Sequence, residues 1–341
     1  MAAAMNWNRW LGLATVLALG YGGICLLVFL RQRSMIYRPQ PAADPSGRLE
    51  LRVEGKRILV AHHAATGPAC GTATGASPGL TPGTTHGSQP RLDPPVEASS
   101  ATGIAAGTPA VTAAVTASGT PAGTPTSTDP RIPRNDPGTA AQLQRRADPN
   151  QPALIYFGGN AEDVSITRNM LAELLPDTHL YLLHYRGYGG SEGHPSEAAI
   201  RADARALYAF VAQRHRQVSV AGRSLGTGPA VHLAALQPVQ RLVLLVPFDS
   251  LLAVARAAMP WLPVDWLLLD RWEADAEAPK VKAPTTIVAA PRDRVVPARH
   301  AEALYRAFQP GVARLELEPD LDHNTPLLDS PAIRQALRGG G

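Results

Sequence analysis

Gly222-Arg223-Ser224-Leu225-Gly226 sets a serine between two glycines, directly after the strand-like run Val218 to Ala221 and directly before an apolar helical stretch. A serine at so tight a strand-to-helix turn stands clear of its sheet, and the helix behind it aims unsatisfied N–H groups at the same spot. That is the chemistry of a nucleophile: a hydroxyl that attacks a carbonyl, beside donors that hold the oxygen as it becomes negative. The two glycines leave room for neighbouring backbone. Two further G-x-S-x-G stretches compete, Gly75 to Gly79 and Gly189 to Gly193. Ser77 lies where there is no apolar periodicity and Pro78 follows it; Ser191 lies in a loop that begins at Arg186-Gly187-Tyr188 and continues before the next helix. Ser224 has the strand before it and the helix after it, and Pro229 is tolerated in that helix's first turn.

A serine needs a base, and the base an orienting acid. Of ten histidines, His323 follows the final strand-like run, in L-D-H-N-T-P. Asp293 follows the preceding one, in P-R-D-R-V-V-P, and has a rival in Asp249 one strand earlier. Asp293 is also placed to cap the helix after Pro297 instead. The expected roles are Ser224 as nucleophile, His323 as general base and Asp293 as its acid. The oxyanion donors are expected from the backbone of Leu225 and of Gly158-Gly159-Asn160-Ala161, with Asn160 preferred and Gly159 the alternative. The two cysteines, Cys25 and Cys70, lie in unrelated stretches, and no Cys/His spacing suits zinc, so neither a cofactor nor a metal is expected.

The elements that must position these residues alternate. Strands are expected over Leu49–Val53, Arg57–Ala61, Ala153–Phe157, His179–Tyr185, Val218–Ala221, Leu242–Val246, Thr285–Ala289 and Arg314–Leu317. Between the later ones fall helices over Ala161–Leu175, from Ser196 onward with Ile200, Ala204, Leu207 and Val211 on one face, over Ala298–Phe308, and over Pro331–Arg338. Strands this apolar, separated by helices, mean a mostly parallel sheet covered on both faces, with chemistry at the strands' carboxyl ends. The stretch from about Ala64 to Asn150 is Thr, Ala, Gly, Pro and Ser without an aromatic residue. It lacks the apolar surface to offset ordering, so it reads as a disordered insertion within one catalytic domain.

Trp10 to Leu30 is uncharged and long enough to cross a bilayer, with Trp7, Trp10 and Tyr37 suited to the interfacial belts. Arg31-Gln32-Arg33 stands where a cleavage site would need small residues, so residues 1–38 read as an uncleaved anchor and 39–338 as the catalytic domain. A fragment starting near Arg38 is then expected to be soluble and still active. The chain's net charge of +4 arises locally: residues 1 to 63 hold eight Lys/Arg and three Asp/Glu, an excess of five. That excess fits a membrane-proximal segment and not a nucleic-acid surface. Arginines beyond the span lean the catalytic domain to the cytoplasmic side, and the abundance of arginine and alanine fits a GC-rich bacterial genome, hence the inner membrane.

Taken together, Tyr156 to Ala161 (Y-F-G-G-N-A), Tyr185 to Gly193 (Y-R-G-Y-G-G-S-E-G), G-R-S-L-G, Val246 to Leu251 (V-P-F-D-S-L), Arg292 to Pro297 and the late Asp-His-Asn resemble the α/β-hydrolase superfamily. The resemblance is to its membrane-anchored, prolyl-oligopeptidase-like or serine-aminopeptidase-like branch. It implies the α/β-hydrolase fold, a triad in the order Ser224, Asp293, His323, and a short cap over about Phe248 to Pro279 with Trp261, Trp266 and Trp272. Relatives commonly carry His-Gly-Asn where this chain has Gly158-Gly159-Asn160, and the insertion is foreign to the family pattern. The expected function is hydrolysis of an ester, thioester or amide on a small-molecule or lipid-like acyl substrate; the oligomeric state is left open. A peptidase of the same fold is the first alternative, though no acidic cluster offers a pocket for a peptide amino terminus. A non-catalytic binding protein is the second.

Overall fold

The computed structural model describes residues 2–66 and 149–339, so the low-complexity stretch lies outside the described residues except at its two ends. A helix α1 (Ala2–Ile36) leads into a hairpin of β1 (Arg48–Val53) and β2 (Lys56–His63). Glu54 and Gly55 both take positive φ, 50° and 74°, the turn that matches strand twist. There follow β3 (Ala153–Phe157), α2 (Val164–Leu174), β4 (His179–Leu183), α3 (Glu197–Ala212), β5 (Val218–Arg223) and α4 (Thr227–Leu236). Beyond β6 (Leu242–Leu245) come α5 (Leu251–Ala258), α6 (Val264–Leu267) and α7 (Ala274–Glu277). The chain closes with β7 (Thr285–Ala289), α8 (Ala298–Ala307), β8 (Ala313–Leu317) and α9 (Pro331–Arg338).

The strands form one sheet in the order β1-β2-β4-β3-β5-β6-β7-β8. β2 runs antiparallel to both neighbours and every pair from β4 to β8 is parallel. Alternation along each strand divides the core. Ile155 and Phe157 face Ile200, Ala230 and Ala301 of α3, α4 and α8, whereas Leu154 and Tyr156 face Leu171 of α2 and Ile333 of α9. The strand order reverses between β3 and β5, so their carboxyl ends open the crevice that a doubly covered sheet offers to chemistry. Both strands flanking the insertion lie in this one sheet.

Three local readings change. The helix expected from Ala161 starts at Val164, because Ala161 sits at φ 61° in a tight turn and Asp163 is the cap, accepting from the Ser165 N–H at 2.9 Å. Tyr37 does not lie in an interfacial belt: it is buried, and its hydroxyl accepts from Trp272 Nε1 at 3.2 Å. Trp272, expected on the cap, belongs to the core, where its ring lies so close to α4 that a Cβ on Gly228 would stand 2.3 Å from Cε3.

Arg9–Ile36 of α1 is long and apolar enough to cross a bilayer, with mean hydropathy 2.3. Its second half is also docked on the cap. The Tyr21 hydroxyl donates to the Trp261 carbonyl at 2.8 Å, and Arg33 pairs with Asp270 at 3.0 Å. The helix read from the sequence as an anchor thus also contacts the segment that follows β6.

Candidate active site

β5 ends at Arg223, and the chain turns through Ser224 at φ 48°, in the left-handed region. The flanking glycines are steric necessities. A Cβ on Gly222 would lie 2.3 Å from the Gly226 carbonyl oxygen, and one on Gly226 2.0 Å from that of Phe157 in β3. The turn thus presses β3, β5 and α4 together and lifts the serine above the sheet edge.

Ser224 Oγ lies 2.9 Å from His323 Nε2, and His323 Nδ1 lies 2.7 Å from Asp293 Oδ2. Asp293 is fixed in turn, since its Oδ1 accepts from the N–H groups of Val295 and Val296 at 2.8 and 2.7 Å. That leaves Oδ2 for the imidazole, an arrangement that favours the tautomer with Nε2 free to take a proton. Asp249, the rival acid, does not reach His323; its Oδ1 lies 2.8 Å from His300 Nδ1. Ser191 is structural: its hydroxyl donates to the His184 carbonyl and accepts from the Leu59 N–H, both at 2.9 Å. Ser77 lies outside the described residues.

The loop after β3 stands beside the serine, with a Cβ on Gly159 falling 3.7 Å from that of Ser224. Gly159 cannot serve as the donor, because its N–H is taken by Glu162 Oε2 at 2.6 Å. Asn160 and Leu225 both line the cavity above Ser224. The Asn160 side chain is turned to other work: Oδ1 accepts from the Arg38 N–H at 2.8 Å and from the Tyr188 hydroxyl at 3.3 Å.

Three residues that hold the loops around the serine went unread in the sequence. Glu162 also accepts from the hydroxyls of Tyr156 and Thr167, at 3.0 and 2.6 Å. Tyr185 donates to the Gly158 carbonyl at 2.8 Å. Burial pushes the Tyr156 and Tyr185 phenols well above their ordinary value, which keeps both as donors. Arg223 donates to the carbonyls of His323 and Thr325 at 3.0 and 3.3 Å, so the residue before the serine positions the loop that carries His323. Two signals were available: Glu162 is the first acid after the glycine pair, and Arg223 sits inside the serine motif.

Above Ser224 opens a cavity of about 720 Å³. Apolar residues of α5 and α6 line it, with Val254, Ala255 and Leu267 among them. The site can therefore take a carbonyl at the serine and an apolar group beyond it.

No family profile matches the chain. Among curated proteins, an uncharacterised protein of Mycobacterium tuberculosis (strain H37Rv) is 38% identical over 197 residues, covering 55% of this chain and 68% of that protein. The lysophosphatidylserine lipase ABHD12 of Danio rerio is 31% identical over 179 residues, covering 46% of this chain and 47% of its own length. The α/β-hydrolase domain-containing protein aho-3 of Caenorhabditis elegans is 29% identical over 177 residues, covering 50% and 52%. The chain thus spans about half the length of these two named relatives. Among solved structures, an acetyl xylan esterase from Paenibacillus sp. R4 superposes with a TM-score of 0.47 at 16% identity, over 56% of this chain and 75% of that one. With its strand order, its antiparallel β2 and these relatives, the chain belongs to the α/β-hydrolase superfamily.

Proposed function

We propose that the protein is a serine hydrolase that cleaves an acyl ester or thioester through an acyl-enzyme on Ser224. One observation carries the reading: the Ser224–His323–Asp293 hydrogen-bond relay opens into an apolar cavity. In the proposed cycle His323 Nε2 takes the hydroxyl proton as Oγ attacks the substrate carbonyl. The N–H groups of Leu225 and Asn160 receive the oxyanion. His323 then gives its proton to the departing alkoxide or thiolate, which leaves the acyl group on Ser224. A water deprotonated by the same nitrogen releases the acid and restores the serine. Asp293 stabilises the imidazolium in both halves without itself being protonated.

The name of the fish relative, a lipase, supports acyl esters over peptides. We assign residues 39–338 to one catalytic domain interrupted by the insertion, held at a membrane by α1. A fluorophosphonate probe tests the centre: it labels wild type and leaves Ser224→Ala unlabelled. Equal labelling of both overturns the assignment, and absence of labelling in wild type favours a binding role. Esters of graded acyl length, thioesters and aminopeptidase substrates, compared side by side, separate esterase from peptidase.

A further inference from the structure

The cavity above Ser224 has one wall that does not come from the hydrolase domain. Val28, Met35 and Ile36, from the last turns of α1, line it together with Ser224 and His323. These same turns end the stretch long enough to span a bilayer.

The docking is specific. Gln32 is a polar residue in an apolar helix, buried to 5% exposure, and it is satisfied at both ends by cap backbone. Its Nε2 donates to the Leu267 carbonyl at 2.8 Å and its Oε1 accepts from the Leu269 N–H at 2.7 Å. A buried amide left without these partners would be costly, so the helix is held in one register against α6. Beyond the seam, Cys25 and Val28 pack on Leu252, Leu262 and Val264 of the cap.

The outer surface beside this seam is apolar on both sides. On α1 it shows Leu26, Leu27 and Leu30; on the cap it shows Trp261, Trp266 and Leu269, with Trp266 87% exposed. Tryptophans beside a helix of membrane-spanning length suit the headgroup zone, where an apolar ring and a polar N–H are both accommodated.

From these observations, and resting on the acyl-hydrolase reading above, we propose that α1 is a wall of the substrate pocket as well as an anchor. The cap beside it lies in the lipid interface, and acyl chains pass sideways from the bilayer, between α1 and the cap, to Ser224. The substrate is then a single-chain amphiphile drawn from the leaflet, with its chain against Val28 and Met35 and its ester carbonyl at the serine.

The test uses full-length protein in phosphatidylcholine vesicles and methylumbelliferyl esters of acetate and dodecanoate. Val28→Trp fills the wall, and the ratio of kcat/KM for dodecanoate over acetate is expected to fall about tenfold or more, several methylenes losing their site. Leu19→Trp, on the exposed part of the same helix, leaves the ratio unchanged. Should Val28→Trp fail to fold, the pair Val28→Ala and Met35→Ala enlarges the pocket and is expected to move the ratio the other way. In vesicles of dibrominated phosphatidylcholine, tryptophan quenching is expected to drop when Trp261 and Trp266 are replaced by phenylalanine. A ratio indifferent to Val28 and Met35, or quenching indifferent to the cap tryptophans, overturns the proposal. If wild type neither hydrolyses the acetate nor takes the fluorophosphonate, the hydrolase reading fails instead.

Discussion

Two carboxylate–imidazole pairs lie one strand apart at the same sheet edge, and they differ in what faces the far nitrogen. Asp293 and His323 meet at 2.7 Å, Asp249 and His300 at 2.8 Å, and all four side chains are largely shielded from solvent. His323 Nε2 meets the Ser224 hydroxyl; His300 Nε2 is buried without a hydrogen-bond partner among the described residues. An acid–imidazole bond is therefore not in itself a catalytic device. In the first pair it turns an imidazole nitrogen toward the serine proposed as nucleophile, whereas in the second it ties the loop after β6, at the base of the cap, to the first turn of α8.

Asp293→Asn gives the widest separation of the two pairs. Turnover is expected to fall by about four orders of magnitude with the fold intact, because an amide cannot stabilise the imidazolium. Steady-state kinetics with a short-chain ester checks this. Asp249→Asn should leave turnover within about threefold and lower stability by about 1 kcal/mol, read by denaturant unfolding, as one charged hydrogen bond becomes neutral. If the two substitutions exchange effects, the acid has been assigned to the wrong strand.

Between those extremes stands Glu162→Gln. Gly159 N–H and the hydroxyls of Tyr156 and Thr167 all donate to this carboxylate, and an amide offers a donor where an acceptor is needed. The loop shifts, and kcat should drop between about ten- and a hundredfold while Ser224 still reacts with the fluorophosphonate. Unaltered kcat would mean that the loop is held without it.

The smallest effect concerns imidazoles with no carboxylate hydrogen bond. Burial lowers His62 to about 3, helped by His179, His63, His215 and Arg168, and lowers His184 to about 4. Between these values and the ordinary imidazole value near 6.5 the unfolded chain binds more protons than the folded one. Their contribution is whole above about pH 6.5 and is lost as pH falls toward 3 to 4. Melting temperatures at pH 7 and pH 4.5 should therefore differ, and His62→Gln should narrow the gap. An unchanged gap would place the acid sensitivity elsewhere.

The contrast between the pairs also marks how far the sequence could be read. Ser224, Asp293 and His323 were legible because each follows a strand-like run, and strand order alone gathers their loops at one edge. Periodicity found the strands to within about two residues, for the apolar sides of Ala153–Phe157 and Val218–Arg223 are continuous. Contacts between residues far apart in the chain were not legible. Nothing local tells that Asn160 Oδ1 meets the Arg38 N–H, that Trp272 closes on Gly228, or that Gln32 has cap partners. An apolar run of spanning length reads the same whether or not one of its faces is docked, so the pocket wall in α1 was invisible.

The exit from α1 has a mechanical consequence. Ile36 ends the helix, Tyr37 is buried against Trp272, and the Arg38 N–H is already bonded to the loop beside the serine. No residue is left over as slack. A catalytic head on a flexible stalk sweeps a volume set by the stalk's length; this one, anchored as proposed, has no leash to sweep with. Its serine rides at a fixed height over the lipid plane, at an angle set by the helix tilt. Changes in bilayer thickness that tilt the helix would carry the whole active site with it, raising or lowering the serine relative to the headgroups.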